Sequence, residues 1–204
     1  MSAAKTLKSK VCLVGEVAVG KSSLIARYVN DLFDERYLMT IGTKVVKKTV
    51  DVRVDERDAD VSVEMTIWDI MGEKGFRQLL KEAYFYGANG ILAVCDLTRR
   101  STLEDLDDWA DHIIRVVGDV PLVVAVNKAD LADEAKFDED AVSTFLSAYG
   151  ASYVFTSAKT RENVERAFES LAQGMVHQQL GWVPAAAVQA GRRPSPTGGD
   201  ATGA

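Results

Sequence analysis

A chain of 204 residues is of a size for one domain with a proper buried core, and its net charge of −6 excludes nucleic acid as a default partner, which would require a basic stripe. Apolar residues make up 47% and charged residues 26%, the mix of an ordinary soluble globular protein rather than a disordered or membrane-spanning one. No apolar run follows the basic N-terminus MSAAKTLKSK, residue 2 is Ser rather than the Gly that N-myristoylation requires, and the terminal DATGA holds no prenylatable cysteine. The expectation is a cytoplasmic protein with no direct lipid anchor. Cys12 and Cys95 lie inside apolar runs without metal-ligand spacing and read as buried thiols in a reducing compartment.

In chain order, residues 1–9 read as an N-terminal extension, 10–180 as the folded domain and 181–204 as a flexible tail rich in Ala, Gly, Pro, Ser and Thr. KVCLV (10–14) is a short buried strand that runs into GEVAVGKS (15–22), and SSLIARYVNDLF (22–33) follows with helical spacing of Leu24, Ile25, Tyr28 and Val29. G-x-x-x-x-G-K-S between strand and helix is a phosphate-cradling loop. Its N–H groups wrap phosphates, Lys21 reaches the outer ones and the Ser22 hydroxyl takes Mg²⁺. The nucleotide-binding set drawn from it is Gly15, Val17, Ala18, Val19, Gly20, Lys21, Ser22 and Ser23.

KVVKKTVDVRV and VSVEMTIWD alternate like strands about the turn-forming DERDAD and predict an antiparallel hairpin at a sheet edge. GILAVCDLT (90–98) and PLVVAVNKAD (121–130) are continuous apolar runs suited to central parallel strands, and SYVFTSAK (152–159) is a shorter one. Helices are expected at 101–117, opened by a capping box of Ser101 and Glu104, at 138–149 and at 163–180. This alternation predicts an α/β fold, a mostly parallel sheet with helices on both faces.

Three further motifs follow strands. WDIMG (68–72) offers Asp69 as a metal ligand, usually through water, and the Gly72 N–H as a reporter of a terminal phosphate, although D-x-x-G is equally a surface-turn pattern. NKAD (127–130) supplies Asn127, Lys128 and Asp130. A buried Asp accepts from guanine N1–H and the exocyclic amine, donors that adenine does not present there. SAK (157–159) adds Ser157, Ala158 and Lys159, with a backbone N–H for the guanine carbonyl. Four such elements in this order sit where open α/β sheets bind ligands.

On GEVAVGKS, MTIGT, WDIMGEKGFR, YGANGILAVCDLT, NKAD and SAK, the chain resembles the Ras-like small GTPases, closest to the Rab branch, from about Lys10 to Leu180. The resemblance implies a P-loop domain with a six-stranded sheet, five strands parallel and one antiparallel, ringed by five helices. It implies GTP and GDP as ligands with Mg²⁺ held by Ser22, Thr40 and Asp69, and Thr40 as sensor of the γ-phosphate. It also implies Phe33 packing on guanine and Tyr37 as a lid over the phosphates, where the residues by themselves favour plain core or surface aromatics. Effectors, exchange factors and GTPase-activating proteins would engage residues 34–43 and 70–81.

The candidate catalytic set is Lys21, Thr40, Gly72 and Glu73, and here the sequence departs from the family. Glu73 stands where WDTAGQ carries the glutamine that orients the attacking water, and Ile70 and Met71 replace Thr-Ala. A carboxylate accepts from water but cannot donate to charge developing on the γ-phosphate. Val17 occupies a loop position where Ras proteins often carry glycine, which is either family variation or an obstacle to an inserted arginine. Arg36 reads as a solvated loop charge rather than a cis arginine, and His112 and His177 as surface residues. The expectation is a GTP/GDP switch with a low hydrolysis rate; the alternative is an essentially non-hydrolysing GTP-bound scaffold. The missing C-terminal cysteine fits a protein that works in solution or reaches membranes through a partner, as a prokaryotic relative would.

Overall fold

The computed structural model describes residues 5–34, 40, 42–54, 59–72, 83–147 and 149–181. Six strands form one sheet in the order β2-β3-β1-β4-β5-β6: β1 Lys5–Val14, β2 Thr43–Val54, β3 Ala59–Ile70, β4 Gly90–Asp96, β5 Leu122–Asn127 and β6 Ser152–Phe155. Only β2 runs antiparallel, against β3; the pairs β1/β3, β1/β4, β4/β5 and β5/β6 are parallel. The order reverses at β1, so the C-terminal end of that strand opens onto the crevice where α/β sheets take ligands.

The α-helices with both ends described are α1 Lys21–Asn30, α2 Arg100–Val117, α3 Glu139–Leu146 and α4 Val164–Gln179, and residues 83–85 are helical as well. A 3₁₀ segment, Ala129–Glu134, follows β5. Every residue of β4 is buried, as expected of a central strand covered on both faces. On one face α1 and α4 pack Leu24, Tyr28, Phe168 and Met175 against Val11, Leu13 and Leu92. Tyr28 stacks on Phe168 with ring centroids 4.0 Å apart and planes 4° from parallel. On the other, α2 and α3 bring Leu103, Leu106, Trp109 and Leu146 onto Cys12, Val14, Ala93 and Val124.

Several boundaries differ from the sequence reading. β1 begins at Lys5 rather than Lys10, because the long β3 gives residues 5–9 partners from Val61 to Met65. β5 and β6 stop at Asn127 and Phe155, so NKAD spans the strand end and the start of the 3₁₀ segment while SAK lies in a loop. Helix α1 ends at Asn30, where Asp31 turns left-handed with φ 54° and its N–H bonds back to the last turn. The capping box at Ser101 does not form: α2 opens at Arg100, and Glu104 accepts instead from Arg100 Nε at 3.1 Å. That entry is set by Thr102, whose hydroxyl donates to the Arg99 carbonyl at 2.6 Å and accepts the Asp96 N–H at 2.9 Å. Helix α3 does carry a side-chain cap, Asp138 accepting from the Ala141 N–H at 2.9 Å.

Candidate functional site

The phosphate-type loop leaves β1 at Val14 and turns through Gly15, Ala18 and Gly20, all at positive φ, before α1 starts at Lys21. Gly20 is required there. At φ 102° a side chain would be strained, and its Cβ would lie 2.2 Å from Asn127 Nδ2. The amino end of α1 thus points its first-turn N–H groups and partial positive charge into the loop, which suits an anion. Lys21 is buried at the centre, its ammonium donating to the carbonyls of Gly15 and Glu16 at 2.8 Å each.

Beside it, Ser22, Thr40 and Asp69 meet. Ser22 Oγ lies 2.8 Å from Thr40 Oγ1 and donates a short hydrogen bond to Asp69 Oδ2. Asp69 is buried near the end of β3, and its Oδ1 has no hydrogen-bond partner. Burial raises its carboxyl above the usual range, opposed by the Ser22 hydrogen bond and the Lys21 charge. Two hydroxyls and a carboxylate with a buried lone oxygen form an oxygen donor set of the kind Mg²⁺ takes. Gly72 closes this side: a Cβ there would lie 2.6 Å from the Gly15 carbonyl oxygen.

Across the crevice, Asn127 ties three segments. Its Nδ2 donates to the Val19 carbonyl at 2.8 Å, while Oδ1 accepts the Ala158 N–H at 3.2 Å and the Thr156 hydroxyl at 3.3 Å. The loop after β1 is therefore fixed to the loop after β6. The Ala158 N–H assigned from sequence to a guanine carbonyl is thus held by Asn127. Asp130 is exposed rather than buried, because it sits on the turn beyond β5, and Oδ1 accepts Ser157 Oγ at 2.6 Å. Phe33 is half-buried, with the Arg27 guanidinium 5.8 Å from its ring centre, and packs at the edge of the α1 core. Ser23 lies half-buried in the first turn of α1, and Lys159 is exposed.

The fold therefore brings Gly15, Val17, Ala18, Val19, Gly20, Lys21, Ser22, Thr40, Asp69 and Gly72 to one side of the crevice. Asn127, Lys128, Asp130, Ser157 and Ala158 stand on the other. Tyr37 and Glu73 lie outside the described residues, as do most of 34–43 and 70–81. His177, read as a surface residue, is half-buried in the last turn of α4.

Sequence reasoning missed two charged positions. Asp96, fully buried at the end of β4, accepts the Thr98 N–H at 3.0 Å and hydroxyl at 2.7 Å through Oδ1, and Arg99 Nε at 3.0 Å and Lys128 Nζ at 2.6 Å through Oδ2. Burial alone would raise its carboxyl; the Lys128, Thr98 and Arg99 contacts outweigh it and hold the carboxyl below the usual carboxylate range. Lys128, placed on the nucleotide from sequence, thus spends its charge on Asp96. Arg27 in α1 donates to the Ala158 carbonyl at 2.9 Å and the Lys159 carbonyl at 3.1 Å, shaping the SAK loop from below. An Asp followed by Thr two residues on, at the end of a buried strand, was the available signal for the first. The Arg27 contacts span 131 and 132 positions and left no local signal.

No helix among the described residues is long and apolar enough to cross a membrane. Cys12 and Cys95 are both buried free thiols, and burial pushes Cys12 up to about 12 and raises Cys95 further.

The family model described as Ras family matches residues 10–177. GTP-binding protein YPTM1 of Zea mays is 32% identical over 173 residues, covering 84% of this chain and 80% of that protein. GTP-binding protein ypt5 of Schizosaccharomyces pombe is 35% identical over 170 residues, covering 82% and 78%. With the matched model spanning the sheet and every described motif around its crevice, the chain belongs to the Ras family, as a Ras-like small GTPase of the Rab branch.

Proposed function

We propose that this chain is a guanine-nucleotide switch that binds GTP and GDP with Mg²⁺ and hydrolyses GTP slowly. The observation that carries the reading is the Asn127 bridge, which joins a phosphate loop centred on Lys21 to the loops that would hold a guanine. The N–H groups of residues 15–22 and the start of α1 take the phosphates, and Lys21 exchanges its two carbonyl partners for the outer ones. Asp130 keeps Oδ2 and a free lone pair on Oδ1 for the base edge, and the Ala158 N–H reaches the guanine carbonyl once Asn127 Oδ1 yields it. Phe33 and Tyr37 flank the nucleotide.

Ser22, Thr40 and Asp69 would hold Mg²⁺, Asp69 directly or through water, consistent with its unpartnered Oδ1. Bound there, the ion would neutralise charge on the β- and γ-phosphate oxygens. Hydrolysis adds water oxygen to the γ-phosphorus, breaks its bond to the β–γ bridging oxygen and leaves GDP and phosphate. Glu73 accepts a hydrogen bond from that water but has no donor for the γ-oxygens, and its charge opposes an anionic transition state. Losing one such donor costs about 10²–10³ in rate. The Val17 side chain narrows the approach of a partner's arginine. Thr40 and Gly72 order residues 34–43 and 70–81 around the γ-phosphate, presenting them to effectors and regulators and releasing them in the GDP state.

The test is titration calorimetry of nucleotide-free protein with GDP and ADP, with and without Mg²⁺. The reading expects GDP preferred by at least about 10³ over ADP, as unpaired polar groups dictate, and tighter binding with the ion. Equal affinity for the two bases refutes it.

A further inference from the structure

Arg99 stands outside every nucleotide-binding motif, yet its guanidinium reaches the rim of the phosphate loop. Nε donates to Asp96 Oδ2 at 3.0 Å, and Nη2 donates to the Val17 carbonyl at 2.9 Å, across 82 positions of sequence. Its anchor is rigid: Asp96 is fully buried, and its other oxygen is held by the Thr98 N–H and hydroxyl. Arg99 therefore reaches the loop from a fixed base, with its planar fork set by two acceptors.

The acceptor matters because of what lies at the other end of the same peptide. No peptide bond described is cis, and in a trans peptide the C=O and N–H point in opposite directions. Fixing the Val17 carbonyl toward Arg99 fixes the Ala18 N–H to point away from it. The same loop carries Lys21 on its Gly15 and Glu16 carbonyls, so an N–H turned away from Arg99 is a donor left for a phosphate in that loop. Ala18 holds this orientation at φ 63°, a left-handed conformation that a non-glycine residue adopts only when its surroundings impose it. A rotation of the 17–18 peptide would turn the carbonyl dipole toward the anion and remove a donor.

We propose that Arg99 is a positioning residue for the phosphates: braced on buried Asp96, it holds the Val17 carbonyl so that the Ala18 N–H faces the nucleotide. The inference rests on the nucleotide-binding reading above. It also gives the cluster of Arg99 and Lys128 on buried Asp96 one purpose, joining the loop after β1 to the segment after β5 through a shared carboxylate. Lys128 approaches the same Oδ2 at 2.6 Å.

The test measures binding of GDP and of guanosine, in Mg²⁺, to full-length wild type, Arg99→Gln, Arg99→Lys and the neighbouring control Arg100→Gln. Among the described residues, Arg100 pairs with Glu104 at the surface. A positioning role weakens GDP binding about tenfold in Arg99→Gln, the factor one charge-assisted hydrogen bond carries. It leaves guanosine, which has no phosphate to meet the Ala18 N–H, unchanged. Arg99→Lys keeps a charge over Asp96 but loses the fork, so it shows the same selective loss and serves if the glutamine variant does not fold. A loss shared equally by GDP and guanosine, or GDP binding equal to wild type in both variants, overturns the proposal. Wild type that binds neither ligand overturns the nucleotide-binding reading and the proposal with it, a result distinct from either of those.

Discussion

Replacing Asp96 by Asn tests the charge cluster built on this buried carboxylate, which ties both sides of the crevice. The substitution keeps size and shape, and Oδ1 can retain the Thr98 contacts. The new Nδ2, however, places a donor opposite Lys128 Nζ and Arg99 Nε, now at 2.6 and 3.0 Å from Oδ2. Two charge-assisted hydrogen bonds are lost, each worth about 1.5–3 kcal/mol when both groups are out of water. The cations are not fully out of water: their side chains are 34% and 38% exposed, so each recovers part of its hydration when unpaired. The expected destabilisation is therefore about 2–3 kcal/mol rather than the sum. Urea unfolding of nucleotide-free protein measures it without ligand linkage adding to the result. The pH dependence carries its own sign. A carboxyl held below its ordinary value contributes stability that is fully present above the unfolded pKa of about 3.9 and is lost as pH falls through the lower folded value. The gap between wild type and variant should stay constant from about pH 8 to 5 and close only below the ordinary carboxylate range. A gap under about 0.5 kcal/mol at neutral pH refutes the reasoning, since the cluster would then be a set of solvated contacts.

Gly20→Ala should lower affinity for GDP by at least about tenfold and destabilise the fold by more than 1 kcal/mol, because φ 102° and the 2.2 Å approach to Asn127 both oppose a Cβ; calorimetry and urea unfolding give the two numbers. Asp130→Asn turns an acceptor into a donor opposite the guanine N–H groups and should weaken GDP by at least about 10² while leaving the melting temperature nearly unchanged. Cys12 and Cys95 should resist alkylation at pH 8 in native protein and react fully in urea. Their raised pKa values keep them protonated, and the core between the sheet and helices α2 and α3 encloses them. Rapid native labelling at either position would contradict that packing.

Much of the architecture was legible because local pattern and tertiary environment agree. The alternation of 43–54 and 59–70 marks strands with one covered face, and the unbroken apolar run of 90–96 marks a strand buried on both. The phosphate loop was legible because its glycines, lysine and serine are demanded by chemistry at fixed spacing. What the sequence concealed was tertiary in origin. Residues 5–9 look like a polar extension, and become strand because β3 extends far enough to pair with them. Ser101 and Glu104 satisfy a capping pattern, but the buried Asp96–Thr102 contact starts α2 one residue earlier. Lys128 was assigned to the nucleotide by motif, while its ammonium is committed to a carboxylate 32 positions away. Arg99 carries no motif at all, and its contact with Val17 exists only once β1 and β4 lie side by side.

The measurement closest to the central claim is single-turnover hydrolysis of GTP pre-bound with Mg²⁺, for wild type and Glu73→Gln. The account predicts a wild-type rate below about 10⁻⁴ s⁻¹, under the usual intrinsic range of the family, and a glutamine variant at least about tenfold faster. A wild-type rate at or above that range, unchanged in the variant, would contradict it and make the protein an ordinary switch in which Glu73 does not limit the reaction.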